Sequence, residues 1–126
     1  MREIKFRGMK ANGEWVVGYY LVHIPTDEHK IHYLSKILGM STAIVDKKTV
    51  GQFTGLIDKN GKEIFEGDVV KEGGLVSVIE WANERYCYRT TTGTIGLYGF
   101  CGEIIGNIYE NPELISPKTD STPNRI

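Results

Sequence analysis

Three histidines, His23, His29 and His32, fall within ten residues of one another, and imidazole is the commonest protein ligand for a transition metal. A zinc site takes three or four protein ligands. On extended backbone, successive side chains alternate faces, so His29 and His32 point to opposite sides of a strand. No cysteine lies nearby to complete a set. The spacing argues against metal, and the histidines are expected to be surface or hydrogen-bonded residues.

Other chemistries find no better footing. Asp58-Lys59-Asn60-Gly61 opens like a calcium loop, but an EF-hand needs its glycine at position six and a bidentate glutamate at twelve. Here the glycine comes fourth. The glycines at 93, 96 and 99 lack the spacing of a dinucleotide fingerprint, and no Lys-Ser/Thr follows them. Neither G-x-S-x-G nor H-E-x-x-H occurs. Glu66 and Asp68 would share a face on a regular strand, as paired glycosidase carboxylates converge; a bend at Gly67 breaks that alternation, and turn or edge roles are expected. Cys87 and Cys101 stand fourteen positions apart with no C-x-x-C, which favours free thiols. The residues point to no catalytic site, no metal and no cofactor, and lean towards a non-enzymatic protein.

Two constellations carry binding chemistry instead. Trp81, Arg85, Tyr86, Tyr88 and Arg89 surround one expected hairpin, and aromatic faces beside guanidinium groups are how β-platforms hold single-stranded nucleic acid. Core aromatics look identical in sequence, and the half of the chain carrying them is net acidic. The second constellation is apolar. From Trp15 to Ile24, Trp15, Val17, Tyr19 and Leu21 occupy one face of a strand while Val16, Tyr20, Val22 and Ile24 fill the other. A strand apolar on both faces must be covered on both, by a second layer or by another subunit. Trp15, Tyr20 and Val22 are the interaction candidates.

The elements that must position these residues are short strands. The chain has 126 residues, 40% of them hydrophobic and 25% charged, which excludes a disordered chain and gives one domain able to build its own core. The net charge of −1 excludes a non-specific polycation, although residues 1–55 are net +3 and residues 56–126 net −4. Met1 to Arg7 alternates charge with apolar side chains, unlike a leader peptide, and no run of about 18 apolar residues occurs. A cytoplasmic protein without membrane contact is expected.

Ile4 and Phe6 alternate with Glu3, Lys5 and Arg7 as on a half-buried strand, and Asn12-Gly13 makes residues 3–10 and 15–24 a β-hairpin. His29–Ile37 and Thr49–Thr54 read as strands, while Leu38–Asp46 is ambiguous and accommodates a short helix. Asp58, Asn60 and Gly61 form the clearest turn. Ile64–Val70 reads as a strand with a bulge at Gly67, beside Asp68. Leu75–Trp81 pairs with Arg85–Thr91, Glu103–Tyr109 closes the sheet, and residues 116–126 form a polar tail.

The run from Gly51-Gln52-Phe53-Thr54-Gly55 through Asp58-Lys59-Asn60-Gly61 to Glu66-Gly67-Asp68-Val69-Val70 resembles the YopX family, small proteins encoded by phages and prophages of bacteria. The opening Met1–Arg7, Thr49, and the closing Gly102–Leu114 agree with it. The resemblance covers about residues 1–115, with little contributed by Val22–Ala43. It implies a β-rich domain from a mobile element and brings no catalytic residues. Under it, Asp58, Asn60 and Gly61 make a turn, Gly67 a bend where Asp68 accepts backbone N–H bonds, and Asn107 and Asn111-Pro112 fix the last strand.

The expected fold is all-β with minor helix, one domain over residues 1–115. An N-terminal sheet covers about residues 1–55, and an SH3-like or partly open barrel covers about residues 56–115. The expected function is that of a phage or prophage accessory protein in the bacterial cytoplasm, non-enzymatic and self-associating, binding host or phage protein. The alternative is a nucleic-acid-binding accessory protein using the Trp81–Arg89 hairpin.

Overall fold

Asn12-Gly13 reverses the chain as its composition predicts. Gly13 takes φ +89°, its N–H donates to the Lys10 carbonyl at 2.9 Å, and β1 (Phe6–Met9) and β2 (Trp15–His23) leave the turn as an antiparallel pair. The computed structural model describes residues 3–82, 85–90, 93–96 and 100–115. Among these, eleven strands and two single-turn 3-10 helices, Lys47–Thr49 and Pro112–Leu114, make an all-β fold. No described helix is long and apolar enough to cross a membrane. The chain divides into two compact units, Met1–Gly55 and Leu56–Ile126.

In the first unit β2 turns into β3 (Glu28–Ser35), which turns into β4 (Gly39–Ile44); β5 (Gly51–Ile57) returns beside β1. The order is β4-β3-β2-β1-β5, with a sixth strand, Glu63–Phe65, after β5. The segment after β4 crosses back to β1: Asp46 N–H donates to the Met9 carbonyl and Met9 N–H to Thr49 Oγ1, each at 2.9 Å. Alternation places Val16, Ile31 and Ala43 on the inner face, where with Val45 they form the core, and Phe6, Tyr20, Tyr33 and Val50 pack around them. Gly18 lets β3 approach closely, since a Cβ there would lie 2.1 Å from the His32 carbonyl oxygen.

The ambiguity over Leu38–Asp46 resolves to a strand. Leu38–Asp46 holds no α-helix. Gly39, at φ +77°, ends the turn, and Met40–Ile44 pair residue for residue with Leu34–Lys30. The 3-10 turn Lys47–Thr49 follows it, capped by Asp46, whose carboxylate accepts Lys48 N–H at 3.0 Å.

In the second unit the chain passes through the Asp58–Gly61 turn into β6 (Glu63–Phe65), then β7 (Asp68–Glu72), β8 (Leu75–Ala82), β9 (Arg85–Thr90), β10 (Gly93–Gly96) and β11 (Glu103–Asn107). The segment expected as one bulged strand is therefore two strands in different sheets. Gly67, at φ +93°, forms a corner between them, and Asp68 Oδ2 accepts Phe65 N–H across it at 2.8 Å. The second sheet has the order β10-β9-β8-β7-β11. It is an open antiparallel sheet, not a closed barrel. A bulge falls in β11 between Ile104 and Gly106. Ile64, Val70, Ile79 and Tyr86 form its core, with Phe100 and Ile104 against it. The polar tail, residues 116–126, and the middle of the glycine-spaced stretch, residues 97–99, lie outside the described residues.

Candidate interaction face

Side-chain alternation on β2 sorts its residues by face. Val16 is buried, whereas Val17, Tyr19 and Leu21 are 41%, 65% and 43% exposed. Register carries this outer face across the sheet. Tyr19 pairs with His32 and Leu21 with Lys30; Leu34 then pairs with Met40, His32 with Thr42 and Lys30 with Ile44. Leu34, Met40 and Ile44 are 74%, 51% and 56% exposed. Three adjacent strands thus present six apolar side chains to solvent on one side. A shallow cavity of about 360 Å³ opens among Val17, Tyr19, Leu34 and Met40, with Lys5 and His32 on its lining. His32, Lys30 and Thr42 stand among them on the same face, and exposed apolar side chains grouped on one side of a sheet and rimmed by polar ones are a feature of interaction surfaces.

The three interaction candidates separate in space. Trp15 lies half-buried at the rim of the outer face, with the Arg7 guanidinium 4.7 Å above its ring, a cation–π arrangement. Tyr20 points inward, 5.3 Å from the Phe6 ring and stacked on His29 at 5.8 Å. Val22 is half-buried opposite His29. Leu34, Met40 and Ile44 are not among the sequence candidates: their signal is the alternation of β3 and β4, which Gly39, Ser41 and Thr42 dilute.

The histidines do not converge. His23 bonds Thr26 Oγ1 at 2.8 Å, and His32 bonds Thr42 Oγ1 at 2.9 Å. His29 joins a chain of three: its Nε2 meets Asp27 Oδ1 at 3.2 Å and its Nδ1 meets the Tyr20 hydroxyl. A carboxylate only accepts, so Nε2–H donates to Asp27, and in the neutral imidazole Nδ1 then accepts from Tyr20 O–H. Burial, with the Asp27 charge behind it, pushes the Tyr20 phenol above its ordinary pKa, the opposite of what a nucleophile needs. Among the described residues no three His, Cys, Asp or Glu side chains gather as a metal ion requires.

The turn residues of the second unit hold backbone. Asp58 is 4% exposed. Its Oδ1 accepts Asn60 N–H at 2.8 Å and Lys62 N–H at 2.9 Å, and its Oδ2 accepts Ile104 N–H at 2.9 Å. Burial alone would raise its pKa; the N–H groups of Ile104, Lys62 and Asn60 outweigh it and hold the carboxyl below the ordinary range. Gly61 takes φ +84°. A Cβ on Gly67 would meet the Tyr109 ring at 2.9 Å. Asn107 Oδ1 accepts the N–H groups of Tyr109 and Glu110, while Asn111 Oδ1 accepts Asn107 N–H at 3.2 Å.

Of the aromatic and basic set, Trp81 is 52% exposed and Tyr86 is buried. They pair across β8 and β9 and meet edge-to-face at 4.8 Å. Tyr86 belongs to the core and presents no free ring face. The side chains of Arg85, Tyr88 and Arg89 lie outside the described residues. Cys87 is buried and Cys101 exposed, both as free thiols.

No curated protein matches the chain. Protein EF1440 from Enterococcus faecalis, known from a crystal structure, is similar at a TM-score of 0.57 and 23% identity, over 90% of this chain and 99% of that one. At that identity the likeness concerns the fold. The family model described as YopX protein matches residues 5–116. That span takes in the Asp58 turn, the Gly67 corner and the Asn107–Asn111 exit from the last strand, and the chain belongs to the YopX family.

Proposed function

We propose that this protein is a non-enzymatic, self-associating interaction module of phage or prophage origin, acting in the bacterial cytoplasm. Its working surface is the outer face of β2, β3 and β4. The observation that carries this reading is the row of exposed Val17, Tyr19, Leu21, Leu34, Met40 and Ile44 on one side of three paired strands. Covering an apolar side chain of this size stabilises a complex by up to about 1.5–3 kcal/mol. The residues best equipped for chemistry, Asp58, Asp68 and Asn107, are engaged with backbone N–H groups, which supports a structural rather than catalytic use. The exposed face supports a second copy as partner, and the mobile-element setting implied by the family makes host or phage protein the further partner class. Light scattering over a series from tens to hundreds of micromolar tests it: a concentration-dependent oligomer is expected, and a strict monomer throughout would overturn it.

A second reading keeps nucleic acid as the partner, favoured by the 52% exposure of Trp81 at the β8–β9 hairpin. Fluorescence anisotropy of labelled single-stranded DNA and RNA at physiological salt tests it. Binding that falls on Trp81→Ala would promote it; no binding even at low salt would remove it.

A further inference from the structure

β4 is the terminal strand of its sheet and is unguarded. Edge strands offer a row of unpaired N–H and C=O groups, and proteins blunt them with charge, proline, bulges or short length. β4 reads Gly-Met-Ser-Thr-Ala-Ile, six residues with no charge and no proline. Gly39, Met40, Thr42 and Ile44 are exposed.

The register settles which backbone groups face out. Val45 N–H donates to the His29 carbonyl at 2.8 Å, and β3 and β4 pair in the same register, from Lys30↔Ile44 to Ser35↔Gly39. In an antiparallel ladder, hydrogen-bonded and non-bonded pairs alternate. Ala43, Ser41 and Gly39 therefore spend their N–H and C=O on β3. Met40, Thr42 and Ile44 point theirs away from the sheet, and their side chains stand on the outer apolar face.

We infer that β4 is a self-pairing edge, whose occupant is β4 of a second copy, antiparallel, with Thr42 opposite Thr42 on a two-fold axis. This rests on the self-association reading above. The argument for a second copy is self-complementarity. With Thr42 on the axis, Met40 of each copy lies opposite Ile44 of the other, so all three outward-facing residues of both strands fall in hydrogen-bonded positions together. A shift by one residue would oppose outward groups to inward ones, and a shift by two would leave one residue of each three unpaired. The same register puts the two exposed apolar side chains of β4 side by side, and it places no charge opposite a like charge within the strand. The two outer faces then lie on the same side of one continuous sheet, doubling the apolar platform. The seam is shorter than stable complexes use, which bury upwards of about 1,000 Å², so a concentration-dependent equilibrium is expected.

Sedimentation equilibrium of the full chain and of Thr42→Pro tests the pairing. Proline removes the Thr42 N–H, which the protomer's own ladder does not use, and edge positions with outward N–H tolerate it. Association weakened about tenfold or more, with an unchanged circular dichroism spectrum, is expected. A second measurement covers the case in which that variant misfolds. In a Cys101→Ser background, oxidation should cross-link Thr42→Cys between copies and leave Leu21→Cys uncross-linked, because Leu21 lies two strands in from the seam. Thr42→Pro associating like wild type, or cross-linking at Leu21→Cys but not at Thr42→Cys, would overturn edge pairing while leaving self-association standing. A wild-type chain monomeric throughout would remove both.

Discussion

Asp58 Oδ2 accepts the backbone N–H of Ile104 at 2.9 Å, joining a turn to a strand 46 positions later in the chain. Its other oxygen closes the turn itself, on Asn60 and Lys62. One carboxylate thus shapes a local reversal and anchors the start of β11. Asp58→Ala leaves three N–H donors without their acceptor, and a loss of roughly 2–4 kcal/mol is expected. Urea unfolding measures it, and Lys59→Ala, at an exposed position of the same turn, should change stability by less than about 0.5 kcal/mol.

The same carboxylate sets a pH dependence. Its pKa in the folded chain is held below the unfolded value by the Ile104, Lys62 and Asn60 N–H groups, against the raising effect of burial. The folded state therefore binds fewer protons at this site than the unfolded one. The stabilisation is complete above the unfolded pKa, near 3.9, and is lost as pH falls through the folded value. The stability gap between wild type and Asp58→Asn should be constant near neutrality and narrow on acidification below about pH 4. Urea midpoints for both chains across that range check it; a gap that widens in acid would show that the carboxylate's charge is not what the N–H groups hold.

Gly67 makes a corner that no other residue fits well. Its φ is +93°, and an added Cβ would press on the Tyr109 ring at 2.9 Å. Gly67→Ala should cost about 1–3 kcal/mol. Trimming the ring relieves the contact and not the backbone strain, so Gly67→Ala combined with Tyr109→Ala should show a favourable coupling that recovers only part of the loss. A double-mutant cycle in thermal unfolding measures it.

Neighbours on β2 should behave oppositely. Tyr20 packs on Phe6 and bonds His29, while Tyr19 is 65% exposed. Tyr20→Glu buries a charge against the core of the first unit and should unfold it. Tyr20→Phe strips His29 Nδ1 of its donor at a cost of about 1 kcal/mol. Tyr19→Glu should leave Tm nearly unchanged. Circular dichroism melts of the three variants distinguish the faces.

Much of this architecture was legible in the residues, and where it was not the reason is physical. Asn12-Gly13 and Asp58-Lys59-Asn60-Gly61 carry their turn chemistry locally, so both turns, and the hairpin at the first, are legible in the sequence. The two-faced apolar character of Trp15–Ile24 was equally plain, but which face the core takes depends on register. Val16 is covered by Ile31, Ala43 and Val45, residues of later segments that no local pattern brings to it. β4 is ambiguous in sequence because Gly39, Ser41, Thr42 and Ala43 have little hydrophobic contrast; its strand character comes from pairing with β3. Gly67 signals a bend, but bulge and corner share the same positive-φ glycine. The difference lies in Asp68 reaching back to Phe65. Trp81 and Tyr86 show the same limit: adjacent in one aromatic cluster by sequence, one is exposed and the other is core.

Light scattering of wild type beside Tyr19→Glu and Leu34→Glu tests the central claim most directly. The wild-type chain should form a concentration-dependent oligomer between tens and hundreds of micromolar, and both variants, folded and equally stable, should shift towards monomer. A wild-type chain that stays monomeric across the series, or variants that associate as wild type does, would contradict the claim that the outer face of β2, β3 and β4 is an interaction surface.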